Sequence, residues 1–117
     1  MELTYTDLPD GVRKIDLVGR LDVPGTDKID LRFTALVSSQ QTFAIVDLAG
    51  VDFIASIGIA VFIRNAKVAR RRNGGMVLLN PQRDVERVLT LTKVDHVIPI
   101  CYSLDEARQR VRQPLPD

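Results

Sequence analysis

Apolar residues run almost unbroken through Phe43-Ala44-Ile45-Val46, Asp47 and Leu48, and Ala49-Gly50-Val51-Asp52-Phe53-Ile54-Ala55 follows them. From Ser56-Ile57-Gly58 onward the apolar positions recur at helical spacing as far as Arg70-Arg71-Arg72. A continuous apolar run, a short interruption and then a 3.6-residue period predict a buried strand over 43–48, a loop over 49–55 and a helix over about 56–72. The order strand, loop, helix puts Ser56 at a helix N-terminus as the predicted cap, the first place to look for a site.

The rest of the chain arranges itself around that unit. Residues 2–6 alternate, with Leu3 and Tyr5 on one side, and 12–21 places Ile15, Leu17 and Leu21 on one face. Pro9-Asp10-Gly11 between them supplies a fixed φ, an Asx acceptor and a residue free to take positive φ, so the two segments predict an antiparallel hairpin. Residues 24–39 carry Ile29, Phe33, Leu36 and Val37 at helical spacing, with Pro24 suited to the first turn and Thr26 or Asp27 as the cap.

In the helix over 56–72, Ile59, Ala60, Phe62, Ile63 and Ala66 are the expected buried positions, and Arg64, Lys67, Arg71 and Arg72 point outward. Asn73-Gly74-Gly75 supplies a left-handed stop before a buried strand over 76–79. Asn80-Pro81 reads as a cap and first-turn proline for a helix with Val85, Val88, Leu89 and Thr92 inward. Residues 96–102 form an edge strand limited by Pro99, and Ser103 with Glu106 is a capping box for a last helix bearing Leu104, Ala107 and Val111. The pattern is that of an α/β sandwich: one domain over 1–113, with a mixed sheet, parallel central strands and about four helices, then a frayed tail over 114–117.

Composition changes this picture little. A chain of 117 residues, 45% hydrophobic and 26% charged, builds one core without metals or disulfides. No apolar run approaches the roughly 20 residues of a membrane helix, and Met1-Glu2-Leu3-Thr4 lacks the basic and apolar regions of a secretory signal. The single cysteine, Cys101, excludes an intramolecular disulfide and fits a reducing compartment, so the expected location is cytoplasmic, without membrane insertion. The formal charge of +1 conceals an asymmetry: residues 1–55 hold nine acids and five bases, 56–117 six acids and eleven bases.

Candidate chemistry narrows to Ser56. Ile54-Ala55-Ser56-Ile57-Gly58 carries only the second half of a Gly-x-Ser-x-Gly nucleophile elbow, and the single histidine, His96, lies far along the chain, so a serine hydrolase is not supported. One His and one Cys make no zinc site, and Asp22, Asp47 and Asp52 suit a hard cation only if the fold converges them. No Gly-x-Gly-x-x-Gly or Walker sequence occurs, so no cofactor is expected. Lys67 and Arg70-Arg71-Arg72 fit solvation and the helix dipole better than direct contact with nucleic acid. A hydroxyl at a helix N-cap accepts from backbone N–H groups, and once phosphorylated it places about −1.5 to −2 charges where those groups favour an anion. The alternative is a cap worth about 1 kcal/mol and nothing more.

Three ordered segments resemble the STAS family, the domain of bacterial anti-sigma-factor antagonists and of anion-transporter tails. They are Gly19-Arg20-Leu21-Asp22; Val46 to Ile54 leading to Ser56-Ile57-Gly58; and Arg87-Val88-Leu89-Thr90-Leu91-Thr92 continuing to Val97-Ile98-Pro99-Ile100 and Ser103-Leu104-Asp105-Glu106-Ala107. The family pattern at the loop is Asp-Ser-Ser/Thr-Gly, with the first serine phosphorylated by a partner anti-sigma kinase. That serine falls on Ser56 and the glycine on Gly58, whereas Ala55 replaces the aspartate and Ile57 the second hydroxyl residue.

The resemblance implies a non-catalytic, partner-switching regulator of transcription that binds an anti-sigma factor or serine kinase, with a phosphatase as a further partner. Ser56 would be the phosphoacceptor, and Asp22, Ala55, Ser56, Ile57 and Gly58 the partner-binding set, with Ile59 and Phe62 beside them. Two other readings remain open. One is a non-switching adaptor, such as a stressosome or lipid-transport-complex subunit, favoured by Ala55 and Ile57. The other is weak nucleotide or anion binding at the helix N-terminus.

Overall fold

A computed structural model describes residues 1–113; the tail expected over 114–117 lies outside them. The elements are β1 (Glu2–Asp7), β2 (Val12–Leu21), α1 (Val23–Ser38), β3 (Phe43–Ile54), α2 (Ser56–Arg71), β4 (Gly75–Leu79), α3 (Arg83–Leu91), a 3₁₀ turn (Val94–His96), β5 (Ile100–Cys101) and α4 (Leu104–Arg110). The sheet has the order β1-β2-β3-β4-β5, with β1 antiparallel to β2 and every other neighbouring pair parallel. The expected hairpin and mixed α/β sheet are therefore present, and Gly11 takes the positive φ of 83° that the turn requires.

Strand alternation divides the apolar residues between two faces. On one, Ile15, Leu17, Ala44, Val46, Met76 and Leu78 pack beneath α1, α2 and α3 in the main core. On the other, Val12, Ile45, Val77, Leu79 and Cys101 form a smaller cluster under Ala107 and Val111 at α4. In β2 and β3, Lys14 then pairs with Asp16 at 2.5 Å and Asp47 at 3.2 Å.

Two buried contacts join α1 to α2, beside the exposed Arg64–Asp30 pair. Phe33 and Phe62, both fully buried, lie with ring centroids 5.6 Å apart, tilted by 47°. Asn65, also fully buried, accepts from Ser38 Oγ at 2.5 Å and donates to Thr34 Oγ1 at 3.3 Å and Val61 O at 2.9 Å. An interior amide is tolerated because both its polar atoms are bonded.

Several sequence expectations are corrected. β3 does not stop at residue 48; it pairs with β2 as far as Ile54, and the expected loop is strand with two extra residues relative to β2. Gly50 belongs to that irregularity: a Cβ there would come within 2.9 Å of Val18 Cγ2. α1 is capped by Asp22, not by Thr26 or Asp27, and Thr26 faces the interior. Asn80 does not cap α3, whose cap position is Gln82; Asn80 instead takes a left-handed φ of 51° that turns the chain out of β4. Residues 96–102 shorten to the two-residue β5, preceded by the 3₁₀ turn. Ala60 is exposed, and the left-handed stop after α2 is Asn73, with φ 65°.

Because Phe33 and Phe62 form the α1–α2 contact, Phe33→Ala is expected to remove about 3–5 kcal/mol of stability in urea titrations. A loss under about 1 kcal/mol would show that the helices are held by other contacts.

Candidate functional site

The ends of β2 and β3 bring the expected site residues together. The last register pair is Leu21 with Ile54, and one residue on, Ala55 N donates to Leu21 O at 2.9 Å. Ala55 is therefore still extended, with φ −96° and ψ 170°, and it occupies the cap position of α2. Ser56 is the first helical residue, not the cap: this corrects the capping role expected for its hydroxyl, and no side chain caps the helix. The helix opens instead with Gly58 N and Ile59 N donating to Ala55 O at 3.0 and 3.2 Å. Ser56 is exposed, while Ala55 and Ile57 are half-buried.

Gly58 is buried, and its place follows from close packing. A Cβ there would lie 3.1 Å from Leu21 Cβ and 3.2 Å from Ile54 Cγ1, so the missing side chain lets the first turn of α2 settle on the ends of both strands. Ile59 and Phe62, offered by the sequence as possible neighbours of a partner, belong to the core.

Asp22 follows Leu21 directly and begins α1. Its Oδ1 accepts from Gly25 N at 2.8 Å, and Arg20 Nε approaches Oδ2 at 3.5 Å. The Gly25 amide holds the carboxyl below the usual carboxylate range; burial opposes it, and Arg20 adds a lesser lowering. Gly25 is obligatory, since a Cβ would fall 2.0 Å from Arg20 O.

Sequence reasoning missed two exposed apolar residues on the elements that lead into and out of the site. Val23 is 56% exposed at the start of α1, and Phe53, 39% exposed, precedes Ser56 by three residues. Arg20 lies opposite Phe53 in the β2–β3 register, with its guanidinium 4.3 Å from the ring centroid. The parallel pairing of β2 with the far part of β3 was the signal, and it is invisible while 49–55 is taken for a loop.

Asp22, Asp47 and Asp52, offered for a hard cation if the fold converges them, do not gather as one metal-binding group. Asp22 is engaged at α1, and Asp47 accepts from Ala49 N at 2.9 Å and pairs with Lys14. Among the described residues no three His, Cys, Asp or Glu side chains gather as a metal would require, and no helix is long and apolar enough to cross a membrane.

The model of the STAS domain family matches residues 6–107. A protein of Bordetella bronchiseptica named as an anti-sigma factor antagonist, BtrV, is 26% identical over 116 residues, covering 99% of each chain. A Thermotoga maritima protein named likewise is 33% identical over 66 residues, 56% of this chain; the match spans only 58% of that relative's length. Among solved structures, an anti-sigma factor antagonist from Mycobacterium paratuberculosis superposes with a TM-score of 0.83 at 22% identity, covering 96% of this chain and 94% of the other. The phosphorylated form of the Bacillus cell fate determinant SpoIIAA superposes with a TM-score of 0.70 at 19% identity, covering 95% and 100%.

Two outcomes check the local geometry. Ser56→Ala should leave stability within about 0.5 kcal/mol of the parent in urea, whereas a capping hydroxyl would cost about 1 kcal/mol. In an NMR pH titration the Asp22 carboxyl should titrate below the same residue in an unfolded peptide, and Arg20→Gln should recover only part of the difference. Because the folded value is the lower one, the Asp22 contribution is present above the unfolded carboxyl's range and lost as pH falls through the folded value. A midpoint at or above the peptide's would contradict the capping geometry.

Proposed function

The chain belongs to the STAS domain family, and from that premise we propose that it is an anti-sigma-factor antagonist switched by phosphorylation of Ser56. One observation carries the reading: Ser56 is exposed on the first turn of a 16-residue helix, between the half-buried Ala55 and Ile57 and three residues after the exposed Phe53. The same position treats an added phosphate in two opposite ways.

Toward the fold, the phosphate is mild. The first N–H groups of a helix have no intrahelical acceptors, and the dipole favours negative charge there. Toward a partner it is severe. A group carrying about −1.5 to −2 charges would have to be desolvated as the apolar residues beside it are covered. The unmodified protein would bind the anti-sigma factor or kinase through Asp22, Ala55, Ser56, Ile57 and the first turn of α2, with Gly58 holding that turn down on Leu21. The modified protein would be released, and a phosphatase would restore binding.

Ala55 and Ile57 leave the phosphoacceptor without a neighbouring acid or second hydroxyl, and they favour an alternative in which the same face serves a constitutive adaptor. Incubation with the anti-sigma kinases of the source organism and ATP, followed by mass spectrometry, should place phosphate on Ser56. Ser56→Asp should weaken the complex by about tenfold or more, and Ser56→Ala should keep binding while abolishing modification. Absence of both complex and phosphate would overturn the proposal, and recovery of a transport ATPase or a large homologous assembly without a kinase would establish the adaptor.

A further inference from the structure

The end of α2 remote from Ser56 borders a cavity of about 370 Å³, between the start of β4 and the end of α4. Arg70 lies fourteen residues along the helix from Ser56, about 21 Å at 1.5 Å per residue. The cavity joins cationic and apolar walls: Arg70, Arg110 and Arg112 line it together with Phe43, Met76 and Pro99. Its volume falls in the range of small-molecule sites, which combine an apolar lining with a few convergent polar groups.

None of the three arginines has a carboxylate within ion-pair distance among the described residues, whereas Arg108, on α4 with Arg110, is paired with Asp10. Arg70 Nη2 donates to Val97 O at 3.3 Å, Arg110 Nη1 to Gln113 Oε1 at 3.4 Å, and Arg112 to Asp10 O, with its guanidinium 4.9 Å from the Phe43 ring centroid. These acceptors are neutral and leave most of the donors free. Arg70 Nε is a stronger sign: it has no acceptor among the described residues, and where it now lies it has no surface open to water either. Buried donors are nearly always paired, so an orphaned one beside a cavity points to an absent acceptor.

We infer that this cavity binds a small organic anion, a phosphate or carboxylate on an apolar body, at a site separate from Ser56. Arg70 turns its guanidinium to present its Nε–H to the anion, Arg110 and Arg112 supply further charge, and the apolar body lies against Phe43 and Met76. The C-terminal ends of α2 and α4 oppose an anion with roughly half a negative charge each, which three full guanidinium charges outweigh. The backbone geometry brings the cationic wall into place: a Cβ on Gly75 would fall 2.6 Å from Val111 O, so β4 begins directly against the end of α4.

The test is an NMR titration of the full chain at constant ionic strength with inorganic phosphate, phenyl phosphate and benzoate. Phenyl phosphate should saturate with a Kd on the order of 1 mM, shifting the amides of Gly74 to Val77 and moving the Arg70 Nε–H resonance downfield. Inorganic phosphate should bind more weakly, since it lacks the apolar body; equal binding by the two would overturn the assignment of the apolar wall. Benzoate saturating at the same residues would assign the site to carboxylates as well. Arg70→Lys, which keeps the charge and removes the Nε donor, should weaken binding about tenfold, and so should Arg110→Gln. Shifts that stay linear in ligand, shifts confined to Ser56–Ile59, or undiminished binding by Arg70→Lys would overturn the inference. Should either variant fail to fold, the Arg70 Nε–H resonance of the parent protein decides the matter alone.

Discussion

β2 and β3 run parallel to their last residues, and the Leu21 O to Ala55 N bond closes the ladder at the point where both strands give way to helices. β3 reaches that point with two more residues than β2, absorbed as irregularities at 47–50 and 51–53, so the two exits fall side by side. Everything proposed for Ser56 depends on this coincidence. Asp22 begins α1 and Ala55 precedes α2 from adjacent strand ends, and Gly25 and Gly58 leave out the side chains that would hold the helices away. The helices then lock to each other through Phe33, Phe62 and Asn65, which makes the first turn of α2 a rigid platform.

The place of Ser56 on that turn matters for the proposed switch, which acts by charge. If Ser56 capped its helix, modification would consume a structural hydrogen bond, and binding and folding would be altered together. With the hydroxyl one position inside the helix and no side chain at the cap, a phosphate alters what a partner meets without removing a bond that the fold uses. A partner brought against this turn would give such a change its leverage, because the worth of a charge rises as water is excluded around it.

The charge asymmetry between the two halves of the chain takes on a spatial form. Acids of the first half draw cations to them: Arg13 to Asp7, Lys14 to Asp16 and Asp47, Arg64 to Asp30, and Arg108 to Asp10 across the whole length of the sequence. Three cations of the second half, Arg70, Arg110 and Arg112, lie where the ends of α2 and α4 meet the start of β4. α2 thus has an uncharged, exposed hydroxyl at one end and, at the other, guanidinium groups that pair with no carboxylate among the described residues.

Periodicity was enough to reveal the hairpin, the four helices, the apolar strands and the class of the fold, because each buries a face whose spacing is written locally. The Ser103–Glu106 cap was legible for the same reason, although the Glu106 carboxylate accepts from Tyr102 N in the structure. Position 56 was also legible as a helix start, to within one residue. The far half of β3 was not: Ala49-Gly50 and Asp52 look like loop, and only pairing with β2 makes them strand. The caps at Asp22 and Ala55, the exposure of Phe53 beside Arg20, and the turning of Arg70 from solvent toward a cavity were hidden likewise. A hydrophobic period records which face of an element is buried, whereas a cap, a bulge or an unpaired guanidinium depends on where a residue distant in the chain comes to rest.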